Sequence, residues 1–182
     1  MVLVPPRPVV LALSDVLQDP AGAGRVLEDE LFGIGVDRLR KDRYGGVVLD
    51  ATFAPLPELA AAGYGAERGR ISIRPDGAIY AFPLGPQRSW KHRNPSPLGW
   101  QFGHLAGELC LWYPSDPRSL RWEWDDGLGQ YVTRVHRHLF FEEFHRREGH
   151  WPVEDAPHAD PKRGVHPIWS AFMRKEVRRW AS

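Results

Sequence analysis

Apolar residues recur at helical spacing across residues 20–44, where Val26, Leu27, Leu31, Ile34 and Leu39 fall roughly on one face, so a helix is predicted there. Gly33 and Gly35 weaken that pattern and mark where such a helix would break. Before it, residues 1–19 show no helical period and read as an extended lead-in or short strand closed by a turn. The middle of the chain switches to strand patterning. Residues 46–53 hold a Val-Val-Leu core, 70–74 alternate apolar and polar positions, and 78–82 return as a partner strand. Between the last two lies Pro75-Asp76-Gly77, a turn signal, because proline presets φ and glycine accepts positive φ. Residues 55–65 form an Ala-rich linker, and 83–100, rich in Pro, Gly, Asn and Ser, read as loop. A short apolar stretch follows at 108–113, then a turn at 114–118 and an extended run at 120–124. Asp125-Asp126 then read as the cap of a helix reaching about residue 147 and stopping at Gly149, with Leu128, Val132, Val135, Leu139 and Phe144 as its buried stripe. After a loop at 151–164, Pro167 opens a last helix over about 167–180. The order is helix, antiparallel meander, loop, helix, helix. That is an α+β arrangement with helices packed on a meander.

The chain of 182 residues suits one domain spanning 1–182, with a core of about 20–160. Its 42% hydrophobic and 26% charged residues fit a globular chain. A formal net charge of +1 implies no general affinity for nucleic acid or anionic membrane. The basic runs at 38–43 and 174–179 read as solvated helix faces. Residues 1–13 are apolar but broken by three prolines and an arginine, so neither a membrane span nor a signal peptide is expected. The single cysteine excludes an intramolecular disulfide and suits a reducing, cytoplasmic setting.

Chemistry concentrates in one region. Six of eight tryptophans fall between Trp90 and Trp151, and six of eight histidines between His92 and His150. Within it stands Cys110, in Glu108-Leu109-Cys110-Leu111-Trp112. A cysteine between leucines is ordinarily a buried small hydrophobe. Here a long polar loop precedes it and a Pro-Ser-Asp-Pro turn follows, which places the thiol at the mouth of a loop. His92 and His104 lie upstream and are candidates to polarise it. The histidines of 136–150 make a poor metal site. His136 and His138, two apart on a helix, point to different faces, and His138 and His145 share a face two turns apart. No metal or other cofactor is expected. Glu154 and His158 read as a structural lock in a proline-flanked loop, and the tryptophans as packing anchors.

The stretches Trp90-Lys91-His92-Arg93, Glu108-Leu109-Cys110-Leu111-Trp112-Tyr113-Pro114, Trp122, and Trp151-Pro152-Val153-Glu154-Asp155-Ala156-Pro157-His158 resemble prokaryotic ubiquitin-conjugating-enzyme-like proteins. The resemblance covers roughly residues 20–160. Eukaryotic relatives carry a His-Pro-Asn element before an Ile-Cys-Leu stretch. Leu109-Cys110-Leu111 matches the latter, but no His-Pro-Asn is present, and His92-Arg93-Asn94-Pro95 is its nearest echo. The resemblance implies a ubiquitin-conjugating-like fold and a catalytic Cys110. That thiol would accept a ubiquitin-like modifier as a thioester from an activating enzyme and pass it to a lysine of a target protein. The setting it implies is bacterial antiphage defence or ubiquitin-like conjugation, with a cyclic-oligonucleotide synthase among the candidate targets. Asn94, His92, His104 and main-chain N–H groups are the candidates for holding the oxyanion. Asp116, Asp125 and Asp126 are candidates to accept the amine proton, with Asp116 also readable as a turn residue. Two other readings stand beside this one: a non-catalytic scaffold that binds a modifier, and a Cys-His hydrolase using His92 or His104.

Overall fold

A computed structural model describes residues 10–85, 90–94, 108–112 and 116–153, with the side chains of Arg93 and Asn94 excepted. The expected helix over 167–180, the Glu154–His158 pair, His104 and most of the loop before Cys110 lie outside the described residues.

The first described element is a helix, α1 (Leu13–Gln18), where an extended lead-in and turn were expected. Asp15 accounts for it by accepting the Ala12 N–H at 3.1 Å, and Val16 is fully buried beneath. Asp19 ends α1 because a residue before proline avoids helical backbone. It then starts α2 (Pro20–Glu30), its carboxylate accepting the Gly22 N–H at 2.9 Å and Pro20 taking the first position.

The helix predicted over 20–44 ends at Glu30, and its second half is a strand, β1 (Ile34–Lys41). Gly33 makes the reversal at φ 71°. A bulge at Asp37 explains why β1 looks helical on paper. Val36 pairs with Ala51 and Leu39 with Leu49, so both face the same side although they are three residues apart. Gly24 of α2 lies over these two side chains, with a Cβ position 3.3 Å from Leu39 and 3.6 Å from Val36.

β1 is followed by β2 (Val47–Phe53), a five-residue helix α3 (Pro57–Ala61), β3 (Glu67–Ile73) and β4 (Ile79–Leu84). The four strands form one antiparallel sheet in sequence order. Leu39, Leu49, Ile71 and Ala81 stand in register across it, and the last three are fully buried. On the opposite face Arg70 grips Asp50 of the neighbouring strand with two nitrogens, at 2.5 and 2.7 Å. The β3–β4 turn is the expected one. Gly77 sits at φ 86°, and Asp76 accepts the Ala78 N–H at 3.1 Å.

The long helix α4 (Gly127–Glu148) packs on the inner face of this sheet. Leu139 and Phe53 both close on the bare backbone of Gly69. The expected stripe of Leu128, Val132, Val135, Leu139 and Phe144 is buried throughout, and Gly149 ends the helix at φ 75°. Two local expectations fail before it. The run expected to be extended over 120–124 is bounded by 3₁₀ turns at 118–120 and 124–126, which take its two end residues and leave Arg121 and Glu123 extended. The Asp126 carboxylate makes no cap to α4. It turns back to accept the Glu123 N–H at 2.9 Å and to pair with Arg118 at 3.0 Å.

Gly127 starts α4 at φ 79°, where a Cβ would stand 3.0 Å from the Val10 Cα and 3.2 Å from the Leu11 nitrogen. Strain and clash coincide there, so Gly127→Ala is expected to destabilise the fold by about 2 kcal/mol. A urea melt showing an unchanged midpoint would contradict this. Among the described residues no helix is long and apolar enough to cross a membrane.

Candidate functional site

Cys110 lies where a small second sheet meets the main one. This second sheet pairs β5 (Arg93–Asn94) with β6 (Glu108–Leu109), Arg93 opposite Leu109 and Asn94 opposite Glu108. One more bond extends the ladder: the Cys110 N–H donates to the His92 carbonyl at 3.1 Å. Leu109 drives this placement, being 1% exposed within the core. Alternate side chains of an extended segment point to opposite sides, so Glu108 and Cys110 share the side opposite Leu109. The thiol is partly buried, with Sγ 3.7 Å from the Trp112 carbonyl.

The segment on the far side of the cysteine is anchored by aromatic packing. Trp112 stands edge-on to Tyr131 of α4 at 5.9 Å and beside Trp122 at 6.5 Å. Trp122 and Trp124 each spend their indole N–H on a carbonyl, of Gly127 at 2.9 Å and of Gly77 at 2.7 Å. These indoles are packing anchors, as their sequence position suggested.

The segment on the near side is held by a residue that the sequence reading passed over. Glu142 of α4 is fully buried. One carboxylate oxygen accepts the His92 N–H at 2.7 Å, the other the Lys91 N–H at 2.8 Å. His138, one helical turn earlier, lies 3.5 Å from the same carboxylate. Burial pushes the Glu142 pKa up, but His138 and the two main-chain N–H groups outweigh it and hold the carboxyl below its ordinary range. An unbroken chain of bonds therefore runs from α4 through Glu142 to the 91–92 backbone, and from the His92 carbonyl to Cys110.

His92 is thus beside Cys110 through its main chain. Its ring is buried and packs edge-on against Trp151 at 4.4 Å, with the His138 ring 6.3 Å away. Asn94 is placed by its backbone opposite Glu108, and its side chain lies outside the described residues, as does the whole of His104. Asp116 is partly buried just before the turn at 118–120, and residues 113–115 between it and the thiol segment are also outside the description.

The chain matches no family model and no curated protein.

The histidines of α4 diverge. His136 sends Nε2 to the Ala54 carbonyl at 2.8 Å and packs on Phe53, while His138 turns to Glu142. Among the described residues no group of three or more His, Cys, Asp or Glu side chains is arranged to hold a metal ion. Glu108 was also not singled out. Burial raises its carboxyl pKa to about 7. Both overlooked acids carried a signal in the sequence. Glu142 continues the stripe of Leu128, Val132, Val135 and Leu139, so it is a charge at a core position. Glu108 stands two residues before the thiol, on its side of a strand.

Proposed function

We propose that this protein is a thioester-forming conjugating enzyme with a ubiquitin-conjugating-like fold. Cys110 accepts a ubiquitin-like modifier and passes it to an amine of a target protein. The observation that carries the reading is the placement of Cys110. It is partly exposed and directly follows β6, the short strand that packs beside the edge of the four-stranded antiparallel meander. It is bonded to the His92 carbonyl on one side and backed by the Trp112–Trp122–Tyr131 cluster on the other. Rigid elements here hold a nucleophile on an otherwise irregular segment. The order of helix, meander, cysteine segment and long helix supports the same fold reading, as does the family-like sequence around Cys110 and Trp151.

The chemistry follows from the thiol. Cys110 Sγ, as thiolate, attacks the carbonyl carbon of a modifier C-terminus already held as a thioester on an activating enzyme. A new C–S bond forms, and the activating enzyme's thiolate leaves. An amine of the target then attacks the same carbon, a C–N bond forms, and Cys110 is released as thiolate. Thiols serve both steps because they are strong nucleophiles and good leaving groups. The Cys110 N–H is already committed to His92, so the oxyanion donors are sought among His92, His104, Asn94 and other main-chain N–H groups. Asp116 remains a candidate acceptor for the amine proton. The partners are a ubiquitin-like modifier, its activating enzyme and a target lysine. A cyclic-oligonucleotide synthase is one target class, in bacterial antiphage defence in the cytoplasm.

The test mixes the protein with an activating enzyme, its modifier and ATP, followed by a non-reducing gel. The expected result is an adduct that thiol reagents remove and that Cys110→Ala abolishes. An adduct surviving that substitution contradicts the reading. So does release of a fluorophore linked to the modifier C-terminus without any adduct to an amine, which is hydrolase behaviour.

A further inference from the structure

We infer that Glu108 is the catalytic base of the amine-transfer step, taking the proton that the incoming amine must lose as it attacks the Cys110 thioester. The inference rests on the conjugating reading above and assigns within it a role that the sequence placed elsewhere.

Three observations converge on Glu108. The first is direction. Leu109 is sunk in the core at 1% exposure, so Glu108 and Cys110 emerge on the same side of one extended segment, two residues apart. That segment is registered by β5, with Asn94 opposite Glu108, and by the Cys110 N–H bond to His92, so the two side chains keep their relation to each other. The second is isolation. Glu108 is partly buried, yet no hydrogen bond or ion pair to its carboxyl is found among the described residues, whereas Glu142, Glu143, Asp50 and Asp126 are all paired. A carboxyl partly withdrawn from water without a partner among the described residues is costly, and such a group calls for a reason to be there. The third is its surroundings. Tyr131 of α4 is the titratable group on which the Glu108 charge bears, and Tyr80 of β4 bears on the same phenol. Burial first, then the Glu108 charge and Tyr80, hold the Tyr131 phenol well above its ordinary pKa. No cation from these elements draws Glu108 back toward ordinary carboxylate acidity, and burial leaves its carboxyl near pH 7. A base with that affinity is about half ionised at neutral pH and still strong enough to accept a proton, which is the range where general bases work best.

The attacking nitrogen of a neutral amine forms the C–N bond and becomes positively charged in the tetrahedral intermediate. The Glu108 carboxylate removes one N–H proton. The intermediate collapses, the C–S pair leaves on Cys110 Sγ, and Glu108 returns its proton to solvent. No redox partner or cofactor is needed.

The experiment is single-turnover discharge of the preformed Cys110 thioester to free lysine, in the wild type, Glu108→Gln and Glu108→Asp, from about pH 5.5 to about pH 8.5. Glu108→Gln is expected to form the thioester within about twofold of the wild-type rate and to discharge it about 100-fold more slowly. The ratio of wild-type to Glu108→Gln discharge rates cancels the titration of lysine itself. It should climb with pH up to about 7 and level off above, following the Glu108 carboxyl. Glu108→Asp, which keeps the carboxyl but withdraws it by one methylene, should fall between the two. A residue that merely supports the strand would slow thioester formation and discharge together and give a ratio indifferent to pH. Equal discharge in the wild type and Glu108→Gln, or a flat ratio, overturns the role of Glu108 and leaves the conjugating reading intact. Absence of any wild-type thioester overturns that reading, and this role with it.

Discussion

Replacing Glu142 by alanine is expected to cost about 3–5 kcal/mol of folding stability, the largest loss foreseen for any single side chain near the site. The carboxylate is fully buried and accepts the main-chain N–H groups of Lys91 and His92 at 2.8 and 2.7 Å. Removing it takes the carboxylate acceptor from one buried and one part-buried N–H, at about 1–3 kcal/mol each, and strips His138 of its acidic neighbour. Glutamine is a milder test. Its amide oxygen can accept one of the two N–H groups, but its NH₂ then faces the other, so about 1–3 kcal/mol should be lost. The cost would not stop at stability. Lys91-His92 is the strip of backbone whose carbonyl holds the Cys110 N–H, so loosening it loosens the thiol segment. Urea melts of the wild type, Glu142→Gln and Glu142→Ala check the order. A Glu142→Ala midpoint equal to that of the wild type would contradict the bonding described.

The second large effect is acid sensitivity centred on His136. Burial lowers its pKa to about 4, although its bond to the Ala54 carbonyl works the other way. Nε2 lies 2.8 Å from an acceptor, so it carries the proton of the neutral ring, and Nδ1 is the site that titrates. In the unfolded chain the imidazole takes its second proton near pH 6.5, but in the folded chain only near 4. Between those values the unfolded state binds more protons. The contribution of His136 is therefore complete above about pH 6.5 and is lost as the pH falls toward 4. A shift of this size corresponds to about 3 kcal/mol. Two other groups bear on the curve. Glu142, with its lowered pKa, adds a further loss only below the ordinary carboxylate range. Glu108, raised to about 7, acts oppositely and weakens the fold as pH rises from about 4.5 toward 7. Subtracting the stability curve of His136→Gln from that of the wild type isolates the histidine, since the other two are common to both. The difference should grow by about 3 kcal/mol from pH 4 to pH 6.5. A difference independent of pH would contradict the buried, neutral His136.

Much of the architecture was legible in the sequence because its signals were local. Pro75-Asp76-Gly77 declares its turn, and the alternation on either side declares the hairpin. The α4 stripe predicts its burial residue by residue. The failures have physical causes of the opposite kind. The bulge at Asp37 converts the strand period of two into a spacing of three, so Val36 and Leu39 imitate a helix that Gly33 has already ended. Asp126 has the composition of a helix cap but finds a better partner in Arg118 and a nearer N–H at Glu123. The helix α1 depends on the single carboxylate of Asp15 and on burial of Val16, neither of which shows as a period.

The site was legible only at its centre. Cys110 stands out by uniqueness and context, and His92 is beside it, though through its carbonyl and with its ring turned to Trp151. Glu142 is 32 residues further along the chain than Cys110, and only the packing of α4 brings it to the 91–92 backbone. Glu108 lay in plain view, but its significance comes from being partly buried with no bonded partner among the described residues, which a sequence does not record.

The central claim is that the Cys110 sulfur carries the acyl group. The most direct measurement is the intact mass of the protein after incubation with a modifier, its activating enzyme and ATP. The wild type should gain the mass of the modifier less one water and lose it on treatment with thiol. Cys110→Ser should gain the same mass as an oxygen ester that thiol leaves in place and mild alkali removes. A mass gain equally sensitive to thiol in Cys110→Ser, or no gain in the wild type with its cognate pair, would contradict the account.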